Sequence, residues 1–125
     1  MIKAVKAIIC VNNKYLLQLR DKHKNIYYPN FWGLFGGSIE KKETPRKAIT
    51  REIKEEINLD IKVKRIILNS KFKFYDSTNT FETFFYQCKS INKKKIILRE
   101  GQDFGFFSYN DIRKLKIVPY DLVAI

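Results

Sequence analysis

The chain has 125 residues, 45% hydrophobic and 14% aromatic, with a net charge of +12. A domain of this length buries roughly two-thirds of its unfolded surface, so one core over residues 1–125 is expected. No run reaches the ~18 apolar residues a membrane span needs, and residues 5–11, interrupted by Lys6 and followed by Asn12, Asn13 and Lys14, lack the form of a signal peptide.

The two cysteines, Cys10 and Cys88, lie in strand-like apolar stretches. They read as reduced core thiols, and the expected location is cytoplasmic. The basic excess suits a polyanionic partner, a nucleotide or RNA. The lysines are spread along the whole chain rather than gathered in a block, so most of them read as a solvated surface.

In chain order, residues 3–11 form an apolar, β-branched strand, Asn12-Asn13 a turn, and residues 15–20 a second strand, giving an opening hairpin. Residues 21–30 read as a loop, and residues 31–39 (FWGLFGGSI) as a short strand broken by glycines. Gly36-Gly37 permits unusual dihedrals or a close approach. A helix follows: Thr44 is its N-cap, Pro45 its first residue, and Asn58 a left-handed terminus. Ala48, Ile49, Ile53 and Ile57 form its buried stripe, with the charged residues facing elsewhere. Residues 61–70 read as a strand, Phe72 and Phe74 alternate with lysines, and residues 76–80 turn. Residues 81–89, apolar on both faces, suit a central strand. A basic loop over 91–95, a short apolar segment 96–98 and a strand over 104–108 come next. Asn110 or Asp111 caps a short helix through Leu115, and a last segment starts at Pro119. The class is α+β, a mixed sheet with helices packed on it.

The helix carries an unusual charge pattern. Five of the thirteen acidic residues lie between Glu40 and Glu56. Glu52, Glu55 and Glu56 stand at i, i+3 and i+4 and share a helix face, where like charges repel by a few tenths of a kcal/mol per pair. A divalent cation over that face would relieve the repulsion.

Gly37, Glu43, Arg51-Glu52, Ile53, Glu55-Glu56 and Leu59 fit glycine–five residues–Glu–seven residues–Arg-Glu-apolar-any-Glu-Glu-any-Gly-apolar. The chain thus resembles a Nudix hydrolase of the MutT-like kind, with Asn58 where the family has glycine. Asn tolerates the left-handed conformation, so the loop–helix–loop should survive. The resemblance implies an α/β/α sandwich and hydrolysis of a diphosphate linkage in a nucleoside diphosphate-X substrate, using Mg²⁺ or Mn²⁺. A nucleoside triphosphate, split to monophosphate and pyrophosphate, is the leading substrate. A non-catalytic nucleotide-binding sensor and an RNA 5′-end pyrophosphohydrolase are the alternatives.

By the same resemblance Glu52, Glu55, Glu56 and the Gly36 carbonyl are metal ligands, with Glu52 also orienting or deprotonating water. Glu43 and Arg51 are structural partners. Glu100, in the run Arg99-Glu100-Gly101-Gln102, matches a late glutamate acting as ligand or base. Arg20 matches a phosphate-binding arginine, whose fork suits phosphate oxygens. Phe35 departs from the proline common before the glycine pair. Asp121 lies near where some relatives read the base, but is preferred as a helix cap. His23, the single histidine, reads as a solvated loop residue. Tyr27, Tyr28, Phe31 and Trp32 offer stacking surfaces but read better as core or loop anchors.

Overall fold

The structure is a computed structural model that describes residues 2–22, 26–73, 80–91 and 95–125. His23, Phe74, turn residues 76–79 and loop residues 92–94 lie outside the described residues.

β1 (Ile2–Val11) and β2 (Lys14–Leu19) form the expected hairpin. Its turn residues Asn12 and Asn13 have φ of 52° and 62°, the double left-handed geometry of a tight hairpin turn, which asparagine tolerates better than most residues. The stretch expected as one broken strand is two strands, β3 (Trp32–Gly33) and β4 (Phe35–Ser38). The break falls at Leu34 rather than at the glycine pair, because the chain changes partner there. β3 pairs with β2, whereas β4 pairs with β1. At this crossing Leu34 has side-chain partners for both backbone groups. Its N–H donates to Asp121 Oδ2 at 2.8 Å, and its carbonyl accepts from Lys6 Nζ and Gln18 Nε2, each at 3.3 Å.

α1 (Pro45–Ile57) begins where expected, with Thr44 Oγ1 accepting from the Lys47 N–H at 3.2 Å. Asn58 ends it at φ 61°, its N–H donating to the Lys54 carbonyl. Ala48, Ile49, Ile53 and Ile57 are fully buried. The expectation that the helix's charges all face away fails at Glu56, which is only 4% exposed.

β5 (Ile61–Lys73), β6 (Thr80–Ser90) and β7 (Asp103–Phe107) complete the sheet. One part runs β4-β1-β6-β5, with β6 parallel to β1 and antiparallel to β5. That inner position explains the apolar residues on both faces of β6. In the other part β2 pairs with β3 and β7, and the end of β1 joins the two.

Alternation along β1 divides the core. Val5, Ala7 and Ile9 pack with the α1 stripe. Ile8, with Leu17, Leu34 and Phe85, packs against Ile112, Ile117 and Ala124. Two short helices, α2 (Tyr109–Ile112) and α3 (Pro119–Ala124), supply that second layer, so the helix–sheet–helix arrangement stands.

Three local expectations are corrected. α2 is capped by Ser108, whose Oγ accepts from the Asp111 N–H, rather than by Asn110 or Asp111, and it ends at Ile112. Asp121 caps nothing: it lies inside α3, its side chain buried and turned to Leu34. Both cysteines are free, but only Cys88 is buried; burial pushes its thiol up to about 12, while Cys10 is exposed. No helix among the described residues is long and apolar enough to cross a membrane.

Because Asn58 already holds the left-handed conformation, Asn58→Gly is expected to leave the thermal midpoint unchanged or slightly raised. Asn58→Val should lower stability by about 1–2 kcal/mol, the cost of placing a branched side chain at positive φ. Thermal and urea unfolding of the two variants check both.

Candidate active site

The loop from β4 into α1 is held by one guanidinium. Arg51 forks onto Glu43, with Nε–Oε2 at 2.7 Å and Nη2–Oε1 at 2.9 Å. The same group donates to the Ser38 carbonyl at 3.1 Å, to Glu52 Oε1 at 2.9 Å and to Glu55 Oε2 at 3.3 Å. The expected Glu43–Arg51 pairing is therefore present. First the Arg51 hydrogen bonds, then the Glu40 N–H, hold the Glu43 carboxyl down at about 2. The same bonds push the Arg51 pKa further above its ordinary value.

The glycine pair brings the loop against both neighbours. A Cβ on Gly36 would overlap the Val5 carbonyl, and one on Gly37 would overlap the Glu52 carboxyl. Only residues without side chains allow β4 to pair with β1 while Glu52 lies against the loop.

Glu52 is half-buried, and Glu56, one turn on, is buried beside it. Burial first, then the hydrogen bond that the protonated Glu56 carboxyl donates to Glu52 and the charges of Glu52 and Glu100, raise the Glu56 carboxyl well above the usual carboxylate range; Lys6 opposes the shift. Glu56 Oε2 is buried with no hydrogen-bond partner. A buried carboxyl oxygen without a partner, on a group that holds its proton beside the Glu52 carboxylate, has the chemistry of a cation site: hard oxygen donors where a cation would take the place of the proton. The donor set therefore fits a divalent ion. Among the described residues no three acidic side chains already form a closed cage. Glu55 explains part of this, since its exposed carboxylate turns to Arg51.

Glu52, Glu56, Gly36, Gly37 and Glu100 line one cavity of about 460 Å³. Glu100 is delivered by a segment tied directly to α1. The Ile97 and Arg99 N–H groups donate to the Ile57 and Glu56 carbonyls at 3.1 and 2.9 Å. Beyond it, Gln102 fastens to the end of β2: its N–H donates to the Leu19 carbonyl, and its Nε2 to the Arg20 carbonyl at 2.7 Å. Arg20 also lines the cavity, with Nε donating to the Tyr27 carbonyl at 3.1 Å.

The structure thus gathers Arg20, Gly36, Gly37, Glu52, Glu56 and Glu100 around one space, and leaves Glu55 outside its lining. Glu43 and Arg51 stand behind it. Of the four aromatics singled out from the sequence, Tyr27 and Tyr28 line the cavity, while Phe31 and Trp32 do not. Trp32 packs on Phe107, and Phe31 on Tyr28 and Lys116.

Sequence reasoning missed the rings that matter more. Phe72, Phe81 and Tyr120 also line the space, with Phe72 stacked on Phe81 at 5.5 Å and on Tyr120 at 3.9 Å. They come from three separate elements, so no local pattern marks them. Lys6 was missed too, although a lysine inside the apolar run from Ala4 to Val11 was a signal.

Comparison with known proteins agrees with this architecture. A model of the NUDIX domain matches residues 2–124. An uncharacterized Nudix hydrolase of Listeria innocua is 30% identical over 123 residues, 90% of this chain and 70% of that protein. An 8-oxo-dGTP diphosphatase of Proteus vulgaris is 38% identical over 50 residues, 33% of this chain and 45% of that protein. A MutT protein of the Nudix hydrolase family from methicillin-resistant Staphylococcus aureus superposes with a TM-score of 0.77 at 31% identity, over 98% of this chain and 91% of that one. This chain belongs to the Nudix hydrolase family.

The depressed Glu43 carboxyl has a testable sign. Its folded pKa, about 2, lies below its ordinary 4.5, so the Arg51 contact stabilises the fold fully above pH 4.5 and is lost as pH falls toward 2. The stability gap between wild type and Glu43→Gln should be constant above pH 5 and close as pH approaches 2, read by thermal unfolding across that range.

Proposed function

We propose that this chain, residues 1–125 acting as one catalytic unit, is a Mg²⁺-dependent pyrophosphohydrolase of nucleotides. Its leading substrate is a nucleoside triphosphate, converted to monophosphate and pyrophosphate. The observation that carries the reading is the buried Glu56 with its orphaned oxygen beside the half-buried Glu52, set in the same cavity as Arg20 and a group of aromatic rings. Acidic, cationic and aromatic surfaces in one space match the metal, phosphate and base of a nucleotide.

In this reading Glu52, Glu56, Glu100 and the Gly36 carbonyl hold Mg²⁺, or Mn²⁺ in its place. Glu55, whose Oε2 accepts from Arg51, is a further ligand in this reading. The ion, when bound, offsets phosphate charge and lowers the pKa of water. The chain's own groups do the rest. Arg20 binds the phosphate oxygens through the donors its Nε contact leaves spare. Glu100, carried on a segment anchored to both α1 and β2, orients the attacking water and accepts its proton. Tyr27, Phe72, Phe81 and Tyr120 offer ring faces to the base. Arg51 fixes the position of Glu52 from behind. The name of the Proteus vulgaris relative, an 8-oxo-dGTP diphosphatase, supports a triphosphate substrate.

A panel of nucleoside triphosphates, sugar nucleotides and dinucleoside polyphosphates with Mg²⁺, scored for phosphate-containing products, tests the substrate class. Glu56→Gln should stay folded and lose turnover by roughly 10²-fold or more, as expected when a group that places charge at the reacting centre is neutralised. Near-normal turnover in that variant would sink the assignment. Binding without turnover across the panel would favour a nucleotide sensor. Steep loss of activity with salt on 5′-triphosphate RNA would favour RNA-end processing.

A further inference from the structure

The cavity holds a second polar centre. Ile2, Ala4, Lys6 and Ile8 share one face of β1 by alternation, and Ile2, Ala4 and Lys6 line the cavity. Three of these four positions are apolar; the fourth carries an ammonium whose side chain is only 17% exposed. Burying a lysine on the inward face of a strand is costly unless the ammonium is well partnered.

Its partners are present but long. The Leu34 carbonyl lies 3.3 Å from Nζ and Asp121 Oδ2 lies 3.6 Å away. Ammonium hydrogen bonds to oxygen are usually about 2.7–3.2 Å, and the group has three N–H donors. Two contacts at these distances leave donor capacity, and Lys6 faces the cavity.

Asp121 is placed differently. Its Oδ2 takes the Leu34 N–H at 2.8 Å, and there is room for it because Gly33 has no side chain; a Cβ there would stand 2.9 Å from the same oxygen. The carboxylate is thus occupied by the fold, and the ammonium beside it is the group with donors to spare.

A lysine 3.6 Å from a buried carboxylate also makes a poor phosphate site. The pair carries no net charge, and the carboxylate repels an anion. What suits it is a neutral acceptor, such as the oxygen of a heteroaromatic ring. The surroundings agree, for Tyr120 precedes Asp121 on α3, and Phe85, opposite Lys6 in the β1–β6 register, lines the same space. Arg20, which has no acidic side chain among its hydrogen-bond or ion-pair partners in the described residues, is left as the cation for phosphate.

We propose that Lys6 is a specificity-determining residue: its ammonium, held in place by the Leu34 carbonyl and Asp121, donates to an exocyclic ring oxygen of the substrate's base. The chain then prefers bases with an oxo group at that position, hypoxanthine, guanine or uracil, over those with an amino group, adenine or cytosine. An amino group would set its own donors against the ammonium and leave the lysine without its partner, the kind of mismatch that discriminates strongly. The inference rests on the nucleotide reading above and deepens it.

Two pairs of substrates isolate the atom in question: inosine against adenosine triphosphate, and uridine against cytidine triphosphate. Wild type should favour the oxo member of each pair in kcat/KM, and Lys6→Met should cut that preference by roughly tenfold or more. A wild-type preference for the amino members, or none, overturns the inference without any variant, which also covers a Lys6→Met protein that fails to fold. An equal loss on all four substrates in Lys6→Met overturns it as well, assigning Lys6 to phosphate binding or to the fold.

Calorimetric binding of inosine and adenosine monophosphates separates this question from turnover. Tighter inosine monophosphate binding that is lost in Lys6→Met supports the inference even if no triphosphate is hydrolysed, which would count against the pyrophosphohydrolase reading alone. Equal binding of the two, or no binding of either, overturns it.

Discussion

The contacts of Arg51 are what the site depends on. One planar guanidinium reaches Glu43 on the loop, the Ser38 carbonyl at the end of β4, and Glu52 and Glu55 on its own helix. A lysine could not replace it, because an ammonium cannot present two parallel donors to Glu43 while reaching the others. Without the fork, Glu52 would lose the contact that holds it against Gly37. The helix has stability of its own from its buried stripe and caps. What Arg51 adds is register between that helix and the loop.

Burial does the complementary work. Glu56 is kept in a low-dielectric position beside the Glu52 and Glu100 charges, which favour its protonated form, and its Oε2 is left without a partner, an arrangement unfavourable to the isolated fold. Such local cost, sustained by an extensive core on both faces of the sheet, is characteristic of sites built to receive a ligand. The core clusters supply the compensation, since Val5, Ala7, Ile8 and Ile9 of β1 and Phe81, Phe85, Tyr86 and Cys88 of β6 are buried.

How far the sequence could be read follows the range of the interactions. The α1 boundaries were legible because caps and stripe are local: Thr44, Pro45, Ala48, Ile49, Ile53, Ile57 and Asn58 all do what their residue types dictate. The opening hairpin was legible from Asn12-Asn13, and central β6 from its two apolar faces. Glu56 was misread as outward-facing because helical periodicity places a residue on a face but cannot say what covers it, and here the side chain is buried. Asp121 was misread as a cap because its partner, Leu34, is 87 residues away. Phe72, Phe81 and Tyr120 gave no warning for the same reason. Lys6 alone was a local anomaly that could have been followed, a charge in the middle of an apolar strand.

The crossing at Leu34 joins the two parts of the sheet, and the side chains that satisfy its backbone, Lys6, Gln18 and Asp121, also line the cavity. The fold and the lining of the cavity therefore share atoms at this point. A change to any of the three residues alters the hinge of the architecture as well as the chemistry of the floor, so substitutions among them should couple rather than add.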